Sequence, residues 1–202
     1  KHLHILLAFP NTFFANLNVK GQFNNLESVT KEVKLMMDPD ADPYAAPLEG
    51  AEEEVPEKFG ASDVLDLNKM QLLNAYTCTE CGRCTSACPA NLTGKKLSPR
   101  KIMMDTRDRL EEVGRNIDLN SGTFVDDGKQ LLNDYILPEE LWACTSCNAC
   151  VEVCPVNIDP LSIIMDMRRY LVMEESAAPQ ELNAMMTNIE NNGAPWQYNQ
   201  QD

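Results

Sequence analysis

The run CTECGRCTSACP, Cys78 to Pro89, returns 66 residues later as CTSCNACVEVCP, Cys144 to Pro155. Each spaces its cysteines as C-x-x-C-x-x-C-x-x-x-C and follows the last with proline. Cys78, Cys81, Cys84 and Cys88 are thus matched one for one by Cys144, Cys147, Cys150 and Cys154, and these are all eight cysteines of the chain. Three cysteines spaced by three on a curled loop suit three corners of a cubane iron–sulfur cluster, each corner needing a thiolate. The fourth is turned away. Proline lacks an N–H and disfavours helix at the residue before it, so Pro89 and Pro155 redirect the chain just after that cysteine. The spacing therefore predicts two [4Fe-4S] clusters with crossed ligands: Cys78, Cys81 and Cys84 with Cys154, and Cys144, Cys147 and Cys150 with Cys88.

This spacing is that of bacterial ferredoxins. The competing metal, structural zinc, takes four ligands from separated pairs rather than three consecutive C-x-x-C steps. A disulfide scaffold suits shorter secreted chains, whereas tight cysteine groups in a longer chain point to metal binding in a reducing compartment. The repeat also runs past the cysteines. IMMDTRDRL from Ile102 matches IIMDMRRYL from Ile163, shifted by 61, so the first copy carries a longer loop, within NLTGKKLSP. Two copies of cysteine loop plus helix predict a pseudo-twofold arrangement, one copy packed on the other.

Working outward, helical spacing dominates. Leu72, Leu73 and Tyr76 share one face of a short helix before the first cysteines. Ser98-Pro99 and Asp159-Pro160 are helix starts, a capping side chain followed by a first-turn proline. Ile102, Thr106, Leu110 and Val113 continue the first of these, and Ile164, Met167 and Leu171 the second. Pro179 opens another helix, with Leu182, Met185 and Ile189 on one face and Gly193 as its stop. No segment alternates in the manner of a strand. The fold class is all-α, an α-helical ferredoxin with two pseudo-symmetric cluster-binding loops and an extended acidic N-terminal segment. We divide the chain into an N-terminal segment over 1–37 that could lie beside a membrane, an acidic proline-rich linker over 38–62, the two-cluster domain over 63–193 and a tail over 194–202. Within the first, NNLESVTKEVKLMM reads as either a strand or a short helix.

The chain has 202 residues and a net charge of −14, which argues against nucleic acid as a partner, because phosphate binding needs a basic face. No signal peptide and no bilayer-length apolar run is present. The longest apolar stretch, HLHILLAFPNTFFANL, is interrupted by Pro10 and Asn11. It reads either as a core or surface segment or as the tail of a membrane helix, and its start at Lys1 rather than Met suggests a piece of a longer protein. There is no G-x-G-x-x-G fingerprint, no Walker loop and no nucleophile–base set, and the only histidines are His2 and His4. No catalytic residue is assigned, and the chain reads as a component of an oxidoreductase without a substrate site of its own.

Small residues within the cysteine loops, Gly82, Ser86, Ala87, Asn148 and Ala149, let backbone N–H groups approach the sulfurs. Arg83, Lys95, Lys96, Arg100 and Lys101 flank the first run, and Arg168 and Arg169 follow the second. They either balance cluster charge or form a docking patch for an acidic redox partner. Met103, Met104, Met165, Met167, Met185 and Met186 read as core filler, and Trp142 as a shield for a cluster.

The doubled motif over about residues 64–192 resembles the helical two-cluster ferredoxin domain of the heterodisulfide reductase C subunit and of the anaerobic glycerol-3-phosphate dehydrogenase iron–sulfur subunit. Succinate dehydrogenase iron–sulfur subunits are similar but depart from eight intact cysteines. The start KHLHILLAFPNTFF resembles the last membrane helix of the nitrate reductase gamma-subunit family, with His4 at the position of a haem ligand. Together the resemblances imply a membrane-associated oxidoreductase at the inner, cytoplasmic face of the cytoplasmic membrane. Two [4Fe-4S] clusters would relay electrons between a quinone or haem anchor and a soluble redox partner, either a CCG-domain subunit or a flavoprotein. Two alternatives stay open: a subunit of a soluble flavin-dependent dehydrogenase, and a structural module whose clusters only staple the fold.

Overall fold

A computed structural model describes residues 2–17, 21, 23, 25–38 and 58–197. The architecture is all-helical, and the β pairing among the described residues is one isolated bridge between Leu132 and Ile136. Two helices, α6 (Pro99–Leu119) and α10 (Pro160–Met173), form the centre. Both begin as their sequences predict. Ser98 Oγ accepts from the Lys101 N–H at 3.4 Å and Asp159 Oδ1 from the Ser162 N–H at 3.1 Å, each with proline at the first helical position, where no N–H is needed. Ile102 and Met103 of α6 and their repeat partners Ile163 and Ile164 of α10 are all buried in one core. Met167 and Leu171 complete it on α10, whereas Met186 is exposed.

The rest of the body is arranged around this pair. Helix α3 (Lys69–Thr77), closed at its start by a reciprocal Asn68–Gln71 cap, leads into the first cysteine run. Short helices α4 (Arg83–Ser86) and α5 (Pro89–Leu92) lie within and just after that run. An irregular turn, α7 (Leu131–Asp134), buries Leu131 and Leu132, and α8 (Pro138–Trp142) leads into the second run, which contains α9 (Ala149–Glu152). Helices α4 and α9 touch, so the two cysteine loops lie side by side.

Helix α1 (Leu3–Phe13) packs along α3. Its inward residues His4, Leu7, Ala8 and Asn11 follow helical spacing, and Asn11 donates from Nδ2 to the Val156 carbonyl at 2.8 Å, just after the second cysteine run. The opposite side of α1 is also apolar yet exposed: Leu3, Ile5, Leu6, Phe9 and Phe13 are all more than half accessible. No helix among the described residues is long and apolar enough to cross a membrane. The ambiguous NNLESVTKEVKLMM forms a helix, α2 (Glu27–Met37).

The structure departs from the sequence reading in three places. The buried side of α3 is Gln71, Asn74, Ala75 and Thr77, and Leu72, Leu73 and Tyr76 are only half-buried. On α6, Arg109 rather than Leu110 occupies the buried position between Thr106 and Val113. Residues 58–62, placed by sequence in the linker, belong to the packed body: Ala61 donates its N–H to the Asp166 carbonyl at 3.0 Å and Phe59 its N–H to Glu174 at 2.7 Å. The remainder of the linker, from residue 39 to 57, lies outside the described residues. At the other end, α11 (Gln180–Asn192) stops at Gly193 in the left-handed region, as expected, but buries none of its residues.

Candidate metal centre

The cysteine loops are shaped by backbone conformation before any side chain is considered. Glu80 and Gly82 have φ of 58° and 80°, and their repeat partners Ser146 and Asn148 have φ of 54° and 60°. Left-handed residues at the same two places coil each C-x-x-C-x-x-C run tightly and explain the choice of glycine and asparagine at 82 and 148. The coil then feeds α4 or α9. After the fourth cysteine of the first run the chain is extended, with Cys88 at φ −77° and ψ 117°, and Pro89 starts a new turn of helix. The prolines thus act as the sequence suggests, by preventing helix at Cys88.

This geometry sorts the cysteines across the repeat. One cavity is lined by Cys78, Cys81 and Cys84 from the first run and by Cys154 from the second. The other is lined by Cys144, Cys147 and Cys150 together with Cys88. Cys150 lines both, so the cavities share a wall. Within the described residues no three His, Cys, Asp or Glu side chains converge closely enough to hold a single ion. Cysteines from both runs thus gather round each cavity, as a cubane with four iron corners requires. Cys81 and Cys147 are exposed, whereas Cys78, Cys88 and Cys150 are buried.

Burial sets the electrostatics. It pushes the Cys78, Cys84 and Cys144 thiols up and takes Cys150 to about 12, with neighbouring cysteines adding to the effect at each. Such thiols stay protonated at neutral pH unless a metal replaces the proton, so binding of iron and loss of protons occur together. Cys81, at the surface, shifts the other way, chiefly through the Arg83 backbone N–H. Backbone donors also reach sulfur in the second half: the Ser146 N–H meets Cys144 Sγ and the Ile158 N–H meets Cys154 Sγ, each at 3.4 Å.

Arginines at equivalent places in the repeat brace the loops. Arg107 pairs with Glu80 at 2.7 Å, within the first coil. Arg168 donates to the carbonyls of Leu141 and Cys144 at 2.6 Å each, at the entrance to the second coil, and stacks on Trp142 at 5.0 Å. Trp142 is therefore a platform for Arg168 and is absent from the residues lining either cavity. Sequence reading misses both braces, although the signal is there: the IMMDTRDRL and IIMDMRRYL repeats place Arg107 opposite Arg168. Of the other flanking cations, Lys96 pairs with Glu139, Lys101 with Asp105 and Glu140, and Arg169 with Asp166.

Comparison with known proteins agrees with this geometry. Residues 77–158 match the 4Fe-4S dicluster domain family. The chain is 32% identical, along its whole length, to 29% of the probable iron-sulfur-binding oxidoreductase FadF of Bacillus subtilis. Over 69% of its length it is 33% identical to 22% of the EtfAB:quinone oxidoreductase of Syntrophomonas wolfei. Over 59% of its length it is 31% identical to 60% of the C subunit of the ferredoxin/F(420)H(2)-dependent CoB-CoM heterodisulfide reductase of Methanosarcina acetivorans. The chain thus spans less than a third of the first two relatives. A helical fold, two adjacent cysteine-lined cavities and the family match lead to one identification: residues 77–158 form a 4Fe-4S dicluster domain that holds two [4Fe-4S] clusters.

Proposed function

We propose that this chain is the electron-relay section of a membrane-associated iron–sulfur oxidoreductase, passing electrons between a quinone or haem anchor and a soluble redox partner. The observation that carries the reading is the shared wall: each cavity draws its fourth cysteine from the opposite run, and Cys150 lines both. On this reading Cys78, Cys81, Cys84 and Cys154 hold one cluster, and Cys144, Cys147, Cys150 and Cys88 the other. When bound, each [4Fe-4S] group supplies a one-electron carrier. The protein's part is to hold the two groups adjacent, to aim N–H groups at their sulfurs and to limit water at the buried cysteines.

The membrane side of the proposal rests on α1. Its outer face presents Leu6 and Phe9 at 68% and 75% accessibility, with Leu3, Ile5 and Phe13 alongside. An apolar face of this kind marks a lipid or protein contact. The soluble partner is a CCG-domain subunit or a flavoprotein, and the working location is the inner face of the cytoplasmic membrane. The names of two relatives, a quinone oxidoreductase and a component of a heterodisulfide reductase, favour this over a soluble flavin-dependent dehydrogenase.

Anaerobic reconstitution tests the relay. We expect about eight iron and eight sulfide per chain, reduction by dithionite, and an electron paramagnetic resonance spectrum broadened by coupling between two adjacent reduced clusters. Stoichiometric zinc, or clusters that no biological electron carrier reduces, would reject it in favour of a structural role. Flotation with anionic lipid vesicles, lost in a Phe9→Glu variant, tests the membrane contact.

A further inference from the structure

The two cluster cavities carry very different charge at their openings. The first is lined by Arg83 and Arg100, beside exposed Cys81. Arg100 lies close over the loop, its Nη1 3.7 Å from where a Cβ on Gly82 would stand. Neither arginine makes an ion pair with any described residue, unlike neighbouring Arg107 and Lys101. No lysine or arginine among the described residues lines the second cavity. Of the cations nearest to it in sequence, Lys96 is paired with Glu139 and Lys101 with Asp105 and Glu140, exposed Lys95 lines neither cavity, and Arg100 lines the first. On a chain of net charge −14, two arginines lining one cavity and none lining the other are an asymmetry that calls for a ligand.

We propose that the Arg83–Arg100 edge of the first cavity is the docking surface for an acidic electron-carrier protein, so that electrons cross between that carrier and the Cys78/Cys81/Cys84 side of the chain. This rests on the relay reading above and adds which end meets the soluble partner and what charge that partner carries. Guanidinium groups present a planar fork that pairs with carboxylates bidentately. At physiological salt, charges act over only about 8 Å, so a carrier approaching this edge meets the local arginines more strongly than the distant acidic surface. Such complementarity acts chiefly on orientation and on-rate, which suits a transient electron-transfer complex. In the transfer itself one electron leaves the reduced carrier and one cluster of the chain gains it, and no bond is made or broken.

The test uses the reconstituted holo-protein with two probes of opposite charge: an acidic plant-type [2Fe-2S] ferredoxin and basic cytochrome c. Binding is measured at low and at high ionic strength for the wild type and for Arg83→Glu/Arg100→Glu, with Arg83→Gln/Arg100→Gln as a milder pair should the first fail to fold. We expect ferredoxin binding at low salt to weaken by about tenfold or more and the difference to vanish at high salt. Cytochrome c binding should hold or strengthen, and the iron content and the signal of the second cluster, whose cavity neither arginine lines, should not change. Equal loss for both probes, or a shifted cluster potential with ferredoxin binding intact, overturns the proposal and makes the arginines local charge balance. Clusters that take an electron from reduced ferredoxin at the same rate whatever the charge at 83 and 100 defeat only the docking surface, whereas clusters that neither take an electron from reduced ferredoxin nor pass one to oxidised cytochrome c defeat the relay.

Discussion

The guanidinium of Arg109 is closed off from solvent and grips the carboxylate of Asp63, donating from Nε at 3.0 Å and from Nη2 at 2.8 Å. The same side chain reaches Asp127 at 2.6 Å and the Lys129 carbonyl at 2.7 Å, and Asp63 in turn accepts from the Leu131 N–H at 3.1 Å. One arginine on α6 therefore ties the entrance of the domain to the segment that carries the buried residues Leu131, Leu132 and Ile136. Removing it leaves two carboxylates facing each other without a counter-charge. Arg109→Ala should cost about 3–5 kcal/mol of stability, as buried pairs do when one partner is lost. Arg115→Ala, on an exposed pair of the same helix, should cost under about 1 kcal/mol. Anaerobic urea titration of the two holo-variants checks the contrast.

Gly60 has a φ of +81°, and a Cβ there would stand 2.2 Å from the Asp166 carbonyl oxygen and 2.6 Å from the Tyr170 nitrogen. Both are backbone atoms of α10, which cannot swing aside. Gly60→Ala should therefore destabilise by about 2–5 kcal/mol, combining overpacking with the left-handed penalty. Gly94 has nearly the same φ, +80°, with nothing within 4 Å, so Gly94→Ala should show only the left-handed penalty of about 1–2 kcal/mol. Melting temperatures of the pair separate contact from conformation.

Crossed ligation makes a spectroscopic prediction. If Cys154 serves the cluster of Cys78, Cys81 and Cys84, then Cys154→Ser and Cys81→Ser should perturb the same resonance signal. Cys88→Ser and Cys147→Ser should together perturb the other. Pairing of Cys154 with Cys147 in this assay would mean that each run holds its own cluster.

The Tyr135 hydroxyl donates to Glu112 Oε2 at 2.5 Å. Partial burial, reinforced by that carboxylate, raises its pKa to about 12. A group whose folded value lies above its unfolded one contributes stability that is intact below the unfolded value, near 10, and is lost as pH rises toward the folded value. Alkaline titration should show Tyr135 ionising late, near 12, and stability falling between about pH 10 and 12. Glu112→Gln should bring that tyrosine back toward 10 and cost about 1 kcal/mol for the weakened hydrogen bond. Phenolate absorbance is the readout.

How much of this was legible beforehand depends on the kind of residue. Prolines and capping side chains act locally, so the starts at Ser98-Pro99 and Asp159-Pro160 and the stop at Gly193 were readable without the fold. Helix faces were readable only where the inward side was apolar. On α10 it is, and Ile164, Met167 and Leu171 are all buried. On α3 the inward side is Gln71, Asn74 and Thr77, because α3 packs under α1 and Gln71 reaches Asp166 at 2.6 Å. Periodicity weighted by hydrophobicity favoured Leu72 and Tyr76 instead. Arg109 was passed over for the same reason: a charged residue is read as surface until its partners, 46 and 18 residues distant, are brought to it.

From sequence alone came the repeat, the cysteine spacing, the helical class and thus the two clusters, since each depends on contacts within a dozen residues and on the chemistry of thiolate and iron. The crossing of Cys88 and Cys154 was already expected from the spacing and the two prolines; tertiary structure alone decided that the cavities share a wall at Cys150, which of the described cations stand outside an ion pair and which face of α1 is left bare. Those facts depend on how α6 and α10 set the two loops side by side, and packing between segments separated by sixty residues leaves no local trace in the chain.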